Sequence, residues 1–296
     1  MKYLPISMLL LLGVFLIHTS CSEDDPCTES TWYQDADGDG LGNPDVSLSS
    51  CEQPEGYVAD NSDTNDSGTS TVSSTPLSAF DEFNSDAVTI SFDGDDINIE
   101  TTGLPNHTSP YWETTSPLYI DQIVAQSLTP GRLGGERSLS VTLPAAPEKA
   151  ATSSATGLGP IGICVTGAPI FNDTEGPNRP LEEVIAETFD YAGAHIGPSG
   201  YHYHIESTDI PENTVLSHDD DKLVGIMADG FLIYGRRCNA TGEHPIDLDE
   251  SGGHISTTQH SEGEEFYHYH IINEFYLGDI ITLFGVDLQG TPNGIM

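Results

Sequence analysis

From Leu77 onward, short apolar runs alternate with Gly, Pro and Asn/Asp punctuation. Ala87-Val-Thr-Ile-Ser-Phe92, Ile97-Asn-Ile99 and Ser138-Leu-Ser-Val-Thr-Leu143 are short, rich in β-branched residues and closely spaced, which predicts strands and a mainly β fold. The best helix candidate is Leu181 to Phe189, with Pro180 at a helix-start position and Glu182 and Glu183 in the first turn. The start of the chain has a different pattern. Lys2 precedes a continuous apolar run from Met8 to Ile17, and the small polar residues Thr19 and Ser20 follow it. That run is too short to span a bilayer and reads as a cleaved export signal. No later run is apolar for long enough to cross a membrane. Residues 22 to 66 are polar, acidic and turn-rich, and Ser67 to Pro76 has linker composition. The predicted organisation is a signal at 1–20, an N-terminal segment at 21–66, a linker at 67–78 and a single β-rich domain at 79–296.

Internal repetition refines that last part. Gly162-Ile-Cys-Val-Thr-Gly-Ala-Pro-Ile-Phe-Asn172 aligns with Gly225-Ile-Met-Ala-Asp-Gly-Phe-Leu-Ile-Tyr-Gly235. Gly193-Ala-His195 then matches Gly252-Gly-His254, and Tyr201-His-Tyr-His-Ile205 matches Tyr267-His-Tyr-His-Ile271. Three matches in the same order predict a domain of two pseudo-repeated halves, at about 159–206 and 222–272. Thr166-Gly167 and Asp229-Gly230 fall between apolar runs and predict hairpin turns, where Gly accepts positive φ.

The cysteines and charges set the surroundings. Cys21 directly follows Ser20, as in a bacterial lipobox, so Cys21 is the expected lipidation site and the only tie to a membrane. Glu23-Asp24-Asp25 resembles the acidic tag of surface-exposed Gram-negative lipoproteins, which implies the outer membrane. Four cysteines remain, and pairing by domain predicts disulfides Cys27–Cys51 and Cys164–Cys238. With 47 acidic against 8 basic residues the formal net charge is −39. Such a chain repels nucleic acid and anionic lipid and attracts divalent cations.

Asp35-Ala-Asp-Gly-Asp-Gly-Leu-Gly42 places carboxylates at alternate positions with Gly between them, an arrangement able to wrap one hard cation. Val46 stands where an EF-hand would carry its closing Glu. The stretch from Trp32-Tyr33 to Asp63-Thr-Asn-Asp66 is more similar to the short metal-binding motif of exported bacterial proteins, akin to thrombospondin type 3 calcium repeats. The resemblance implies Ca2+ held by Asp35, Asp37, Asp39 and Leu41, completed by Asp63 and Asp66. All-oxygen ligands favour calcium over copper.

The Tyr-His-Tyr-His segments carry the remaining chemistry. Residues two apart on a strand share a face, so His202 and His204 point one way and Tyr201 and Tyr203 the other; His268 and His270 against Tyr267 and Tyr269 repeat this. Gly197-Pro-Ser-Gly200 brings His195 back towards the first pair, and His254 is its counterpart. Three imidazoles with an open position suit Zn2+ or Cu2+. The bland alternative is that strand histidines are satisfied by hydrogen bonds while the tyrosines pack. His218, His244 and His260 lie in polar loops and read as surface residues.

Here the sequence resembles the YHYH domain family of exported bacterial proteins, over roughly residues 80 to 290. The resemblance rests on Gly103-Leu-Pro-Asn-His107, Gly162 to Asn172, Gly200-Tyr-His-Tyr-His204, Ala228-Asp-Gly-Phe231, Leu248-Asp-Glu250 with Gly253-His254, and Tyr267-His-Tyr-His270. It adds His107 to the candidate ligands. Asp229 and Asp249 are the carboxylates expected near the site, as turn-formers or as partners that orient imidazole. Three functions follow: a lipoprotein binding metal at its histidines and calcium in its acidic loop, an extracellular metal-dependent hydrolase or oxidase, or a carbohydrate- or peptide-binding module without metal at the histidines. The sequence has no His-Glu-X-X-His helix, Gly-X-Ser-X-Gly elbow or phosphate-cradling loop that would favour a named reaction.

Overall fold

The protein is described here from a computed structural model that covers residues 29–35, 42–54, 56–61, 75–121, 131–133, 135, 137–206 and 219–296. The chain forms two compact units, Met1–Thr71 and Val72–Met296. Among the described residues no helix is long and apolar enough to cross a membrane.

In the first unit, β1 (Ser30–Gln34) lies between β2 (Ser47–Ser50) and β3 (Tyr57–Val58) in an antiparallel sheet. The Asp35 amide continues this pairing by donating to the Gly56 carbonyl at 3.0 Å. Asp37, Asp39, Leu41, Asp63, Asp66, Cys21 and Cys27 lie outside the described residues, and so do the calcium loop, the lipidation site and the Cys27–Cys51 pairing that depend on them.

The second unit is mainly β, as the alternating apolar runs predict. Thr75 is buried, and a 3-10 helix over Leu77–Glu82 buries Ala79 and Phe80. The three runs picked out above become β4 (Val88–Asp93), β5 (Asp96–Thr101) and β6 (Leu139–Pro144), one antiparallel sheet in that order. The remaining strands are β7 (Gly162–Cys164), β8 (Pro169–Ile170), β9 (Thr174–Glu175), β10 (Arg179–Pro180), β11 (Ala194–Gly197), β12 (Gly200–Tyr203), β13 (Leu223–Met227), β14 (Leu232–Tyr234), β15 (Gly253–Ser256) and β16 (Phe266–His270). β9 and β10 form a small hairpin, and the other eight make one sheet in the order β11-β12-β8-β7-β13-β14-β16-β15.

That order follows the same rule from either edge. An outer antiparallel hairpin (β11/β12 or β15/β16) joins through a parallel pair (β12/β8 or β16/β14) to an inner antiparallel hairpin (β8/β7 or β14/β13). The two sides meet at β7/β13, with Ile163 opposite Ile226. The inner hairpins turn at Gly167 (φ +106°) and Gly230 (φ +95°), a backbone region that side chains disfavour.

The large sheet is buried on both faces, so its inner strands read as continuous apolar runs. Ile163, Ile226 and Leu232 face Ile97, Ile99, Val141 and Leu143 of the β4–β6 sheet. Cys164, Met227 and Ile233 face the other way, into a core with Ile281, Leu283, Phe284 and Leu288. The predicted helix is shorter than its sequence pattern: α1 spans Glu183–Ala186, while Leu181 and Phe189 leave the helix to pack with Ile205. The expected Cys164–Cys238 disulfide does not form. Both thiols are free and buried, because Cys164 points into the core while Cys238 lies among histidines.

Candidate metal centre

The first histidine group is built by strand geometry. β11 and β12 are antiparallel, with His195 directly opposite His202, and His204 follows on the same face two residues later. Gly193 (φ +79°) makes this register possible, because a side chain there would collide with the Ile205 carbonyl. Phe171 stacks on His202 with ring centroids 4.0 Å apart, and Phe189 stacks on His204 at 5.5 Å. The β9–β10 hairpin adds Glu175, which the sequence reading did not anticipate. One ligand atom from each of Glu175, His195, His202 and His204 lies within 4.8 Å of the others.

The hydrogen bonds fix the tautomers. His202 Nδ1 donates to the Gly200 carbonyl at 2.9 Å, and His204 Nδ1 to the Asn172 carbonyl at 2.5 Å. His195 Nδ1 lies 3.2 Å from Thr188 Oγ1, whose own proton goes to the Ile185 carbonyl at 2.6 Å. With Nδ1 engaged in each ring, Nε2 is the nitrogen turned towards the group. Those nitrogens converge: His195 Nε2 is 3.1 Å from His202 Nε2 and 2.9 Å from Glu175 Oε1, and His204 Nε2 is 3.0 Å from the same oxygen. Glu175 Oε1 and His204 Nε2 are buried and lack a hydrogen-bond partner.

Lone pairs this close repel unless a cation lies among them. Burial, with help from His204 and His195, lowers the His202 pKa to about 3, so His202 is a neutral imidazole at neutral pH, as a metal ligand must be. Hydrogen bonding from His195 and then from His204 holds the Glu175 carboxyl well below the usual carboxylate range, so it is an anion, and each short Nε2–Oε1 contact calls for a proton or a metal ion between its atoms. Donors on a tetrahedral ion with bonds of about 2.0–2.1 Å stand roughly 3.3 Å apart, close to the observed spacings. Three imidazoles and one carboxylate oxygen thus fit a divalent transition metal.

The second group repeats the plan. His254 lies opposite His268 across β15 and β16, and His270 follows. His268 Nδ1 donates to the Phe266 carbonyl at 2.9 Å, His270 Nδ1 to the Gly235 carbonyl at 2.6 Å, and His254 Nδ1 pairs with Asp247 Oδ1 at 2.9 Å. His268 and His270 then face each other through Nε2 at 3.2 Å. Burial lowers their pKa values to about 3 and about 4. Cys238 joins this group, its sulfur within 4.8 Å of the ligand atoms of His254 and His270, whereas His268 is not one of these mutually close donors. β12 and β16 are five strand steps apart, roughly 24 Å at ordinary strand spacing, so the six imidazoles form two sites.

Residues 140–246 match the family described as YHYH protein. No curated protein and no solved structure shows a significant match. The YHYH segment is narrower than the stretch of resemblance read from motifs. It holds the whole first group and Cys238, and ends before His254, His268 and His270.

The remaining candidates lie elsewhere. His107 is on the tyrosine face, its Nε2 2.7 Å from Tyr203 Oη and its Nδ1 2.8 Å from the Thr108 carbonyl, so it joins neither group. Asp229 and Asp249 also serve that face and orient no imidazole. Asp229 Oδ2 accepts from Tyr269 Oη at 2.5 Å and Asp249 Oδ2 from Tyr267 Oη at 3.0 Å. The side chain that does orient His254 is Asp247. His260 is not a surface residue: it is buried, 3.0 Å from Tyr234 Oη. His244 is partly exposed and pairs with Asp219, and His218 lies outside the described residues.

The two candidate ligands that the sequence pattern left out, Glu175 and Cys238, had a faint signal in it. Glu175 and Cys238 stand 63 positions apart, the same offset as Gly162 and Gly225, but neither residue matches in type.

Proposed function

We propose that this protein is an exported lipoprotein that binds a transition metal at its histidine groups. The observation that carries the reading is the convergence of three Nε2 atoms and an anionic carboxylate oxygen, with every Nδ1 already engaged. Zn2+ or Cu2+ fits the imidazoles. Four protein donors fill a tetrahedral shell, which favours holding or presenting the ion over catalysis. An enzymatic reading has one supporting feature. His195 and Glu175 keep side-chain exposures of 11% and 20%, so a metal of higher coordination number would meet solvent on that side, as a hydrolase or oxidase needs. A carbohydrate- or peptide-binding role without metal gives no reason for three ring nitrogens and a carboxylate to converge.

The export signal, lipidation at Cys21, exposure on the outer membrane and calcium in the Asp35–Asp66 segment belong to the same proposal, supported by the sequence pattern. The deciding experiment is elemental analysis of the untagged mature protein alongside His202→Ala. The reading expects stoichiometric transition metal in the wild type and at least one ion fewer per chain in the variant. A wild type without transition metal, or a variant with full content, overturns it.

A further inference from the structure

The two groups share an imidazole plan but differ in their non-imidazole donor. In the first it is the Glu175 carboxylate, and in the second it is the Cys238 thiol. We infer that the second group is a distinct thiolate site, in which Cys238 with His254 and His270 takes a thiophilic cation such as Zn2+ or Cu+, with His268 against His270 beside it.

Several features support a built site. Cys238 is buried and free. Its backbone is pinned by its amide donating to the Glu243 carbonyl at 2.9 Å. Its sulfur is 3.3 Å from Ser256 Oγ, which in turn is 3.2 Å from His254 Nε2. The thiol can donate to the serine hydroxyl and the hydroxyl to His254 Nε2, so Ser256 links the two ligand atoms and fixes their approach. The three imidazoles have Nδ1 committed to two carbonyls and the Asp247 carboxylate, so each presents Nε2. A carboxylate behind a metal-bound imidazole makes the ring a better donor. A metal-bound thiol is deprotonated, so binding here releases a proton that binding at Glu175 does not.

Ligand chemistry then separates the sites. Thiolate selects softer ions than carboxylate does, so one chain can carry two different metals about 24 Å apart. The inference rests on the same reading of converging imidazoles as the proposed function, but the thiolate can be tested separately.

The test uses the full mature chain, stripped of metal under reducing conditions and titrated with Co2+ as an optical probe and with Zn2+. Native mass spectrometry counts the ions, and peptide mapping after iodoacetamide follows each cysteine individually. The wild type should bind two ions, show a thiolate-to-cobalt charge-transfer band, and lose alkylation at Cys238 by at least tenfold when Zn2+ is bound. Cys238→Ser should keep one ion and lose the band. Glu175→Gln should keep the band. Zero ions in the wild type overturns this inference together with the proposed function. One or two ions without the band, and with Cys238 alkylated as fast as in metal-free protein, overturns the thiolate site alone. The wild-type band and protection decide the matter even where Cys238→Ser does not fold.

Discussion

Four buried histidines, His107 among them, make the metal-free protein acid-labile, and for three of them the loss can be worked out from the structure. His202 and His268 have folded pKa values near 3, and His270 near 4, each lowered chiefly by burial. The ordinary value is about 6.5. A depressed histidine pKa means that the unfolded chain binds the proton first. Stability is therefore complete above about pH 6.5 and falls as the pH drops from there towards the folded pKa. At pH 5 each of the three costs about 2 kcal/mol, together about 6 kcal/mol, against a total stability typically of about 5–15 kcal/mol. Asp190, Asp229 and Glu206 have raised pKa values, chiefly from burial, and act with the opposite sign. A paired comparison removes their contribution. Denaturant unfolding of wild type and His202→Gln, both with chelator, at pH 7 and pH 5, should show the wild type losing about 2 kcal/mol more than the variant. Equal losses in the two proteins would refute the claim that His202 is buried neutral with its Nδ1 satisfied.

Three further outcomes follow from the same geometry. A free metal concentration of 100 times Kd should stabilise the fold by about 2.7 kcal/mol, raising Tm by about 5–10 °C in thermal scans; no shift would argue against binding to the folded state. Thr188→Val removes the acceptor that fixes the His195 ring, and titration should show metal affinity lowered about 10- to 100-fold with the stoichiometry unchanged. Tyr269→Phe takes a donor from the buried Asp229 and should cost about 1–3 kcal/mol in denaturant unfolding while leaving metal content intact, since that phenol lies on the opposite face from the imidazoles.

The parts of the fold set by local pattern were legible in the sequence. β4, β5 and β6 fall where β-branched runs end in turn residues, and Gly167 and Gly230 turn the hairpins as their Thr-Gly and Asp-Gly contexts predict. Alternation along Tyr-His-Tyr-His correctly separated the faces, because the two-residue period of a strand leaves little freedom. Long-range choices were not legible. The helical signal around Leu181–Phe189 is real, but packing of its ends against Ile205 leaves only Glu183–Ala186 helical. Counting cysteines paired Cys164 with Cys238, whereas their surroundings are an apolar core and a histidine group. Glu175 lies in a short polar hairpin whose composition says nothing of the imidazoles it faces.

The tyrosines explain why the histidines meet so accurately. Tyr201 donates to Asp190 Oδ2 at 2.7 Å, while Asp190 Oδ1 accepts from the amides of Ala192 and Ala194, at the start of β11. In the other half, Tyr267 donates to Asp249, whose Oδ1 accepts from the amides of Ser251 and Gly253, at the start of β15. Each carboxylate thus ties the beginning of one strand to a phenol on its partner, and that tie fixes the register placing His195 opposite His202 and His254 opposite His268. A slip of one residue would turn every histidine to the tyrosine face and break both carboxylate ties. The tyrosine face is closed by its own hydrogen bonds, whereas the histidine face ends in ring nitrogens directed at each other. One strand therefore carries its own scaffold on one side and a group able to hold a cation on the other. That division of labour within four residues accounts for the alternating motif better than packing alone, because packing needs neither the ordered Nδ1 acceptors nor the facing Nε2 atoms.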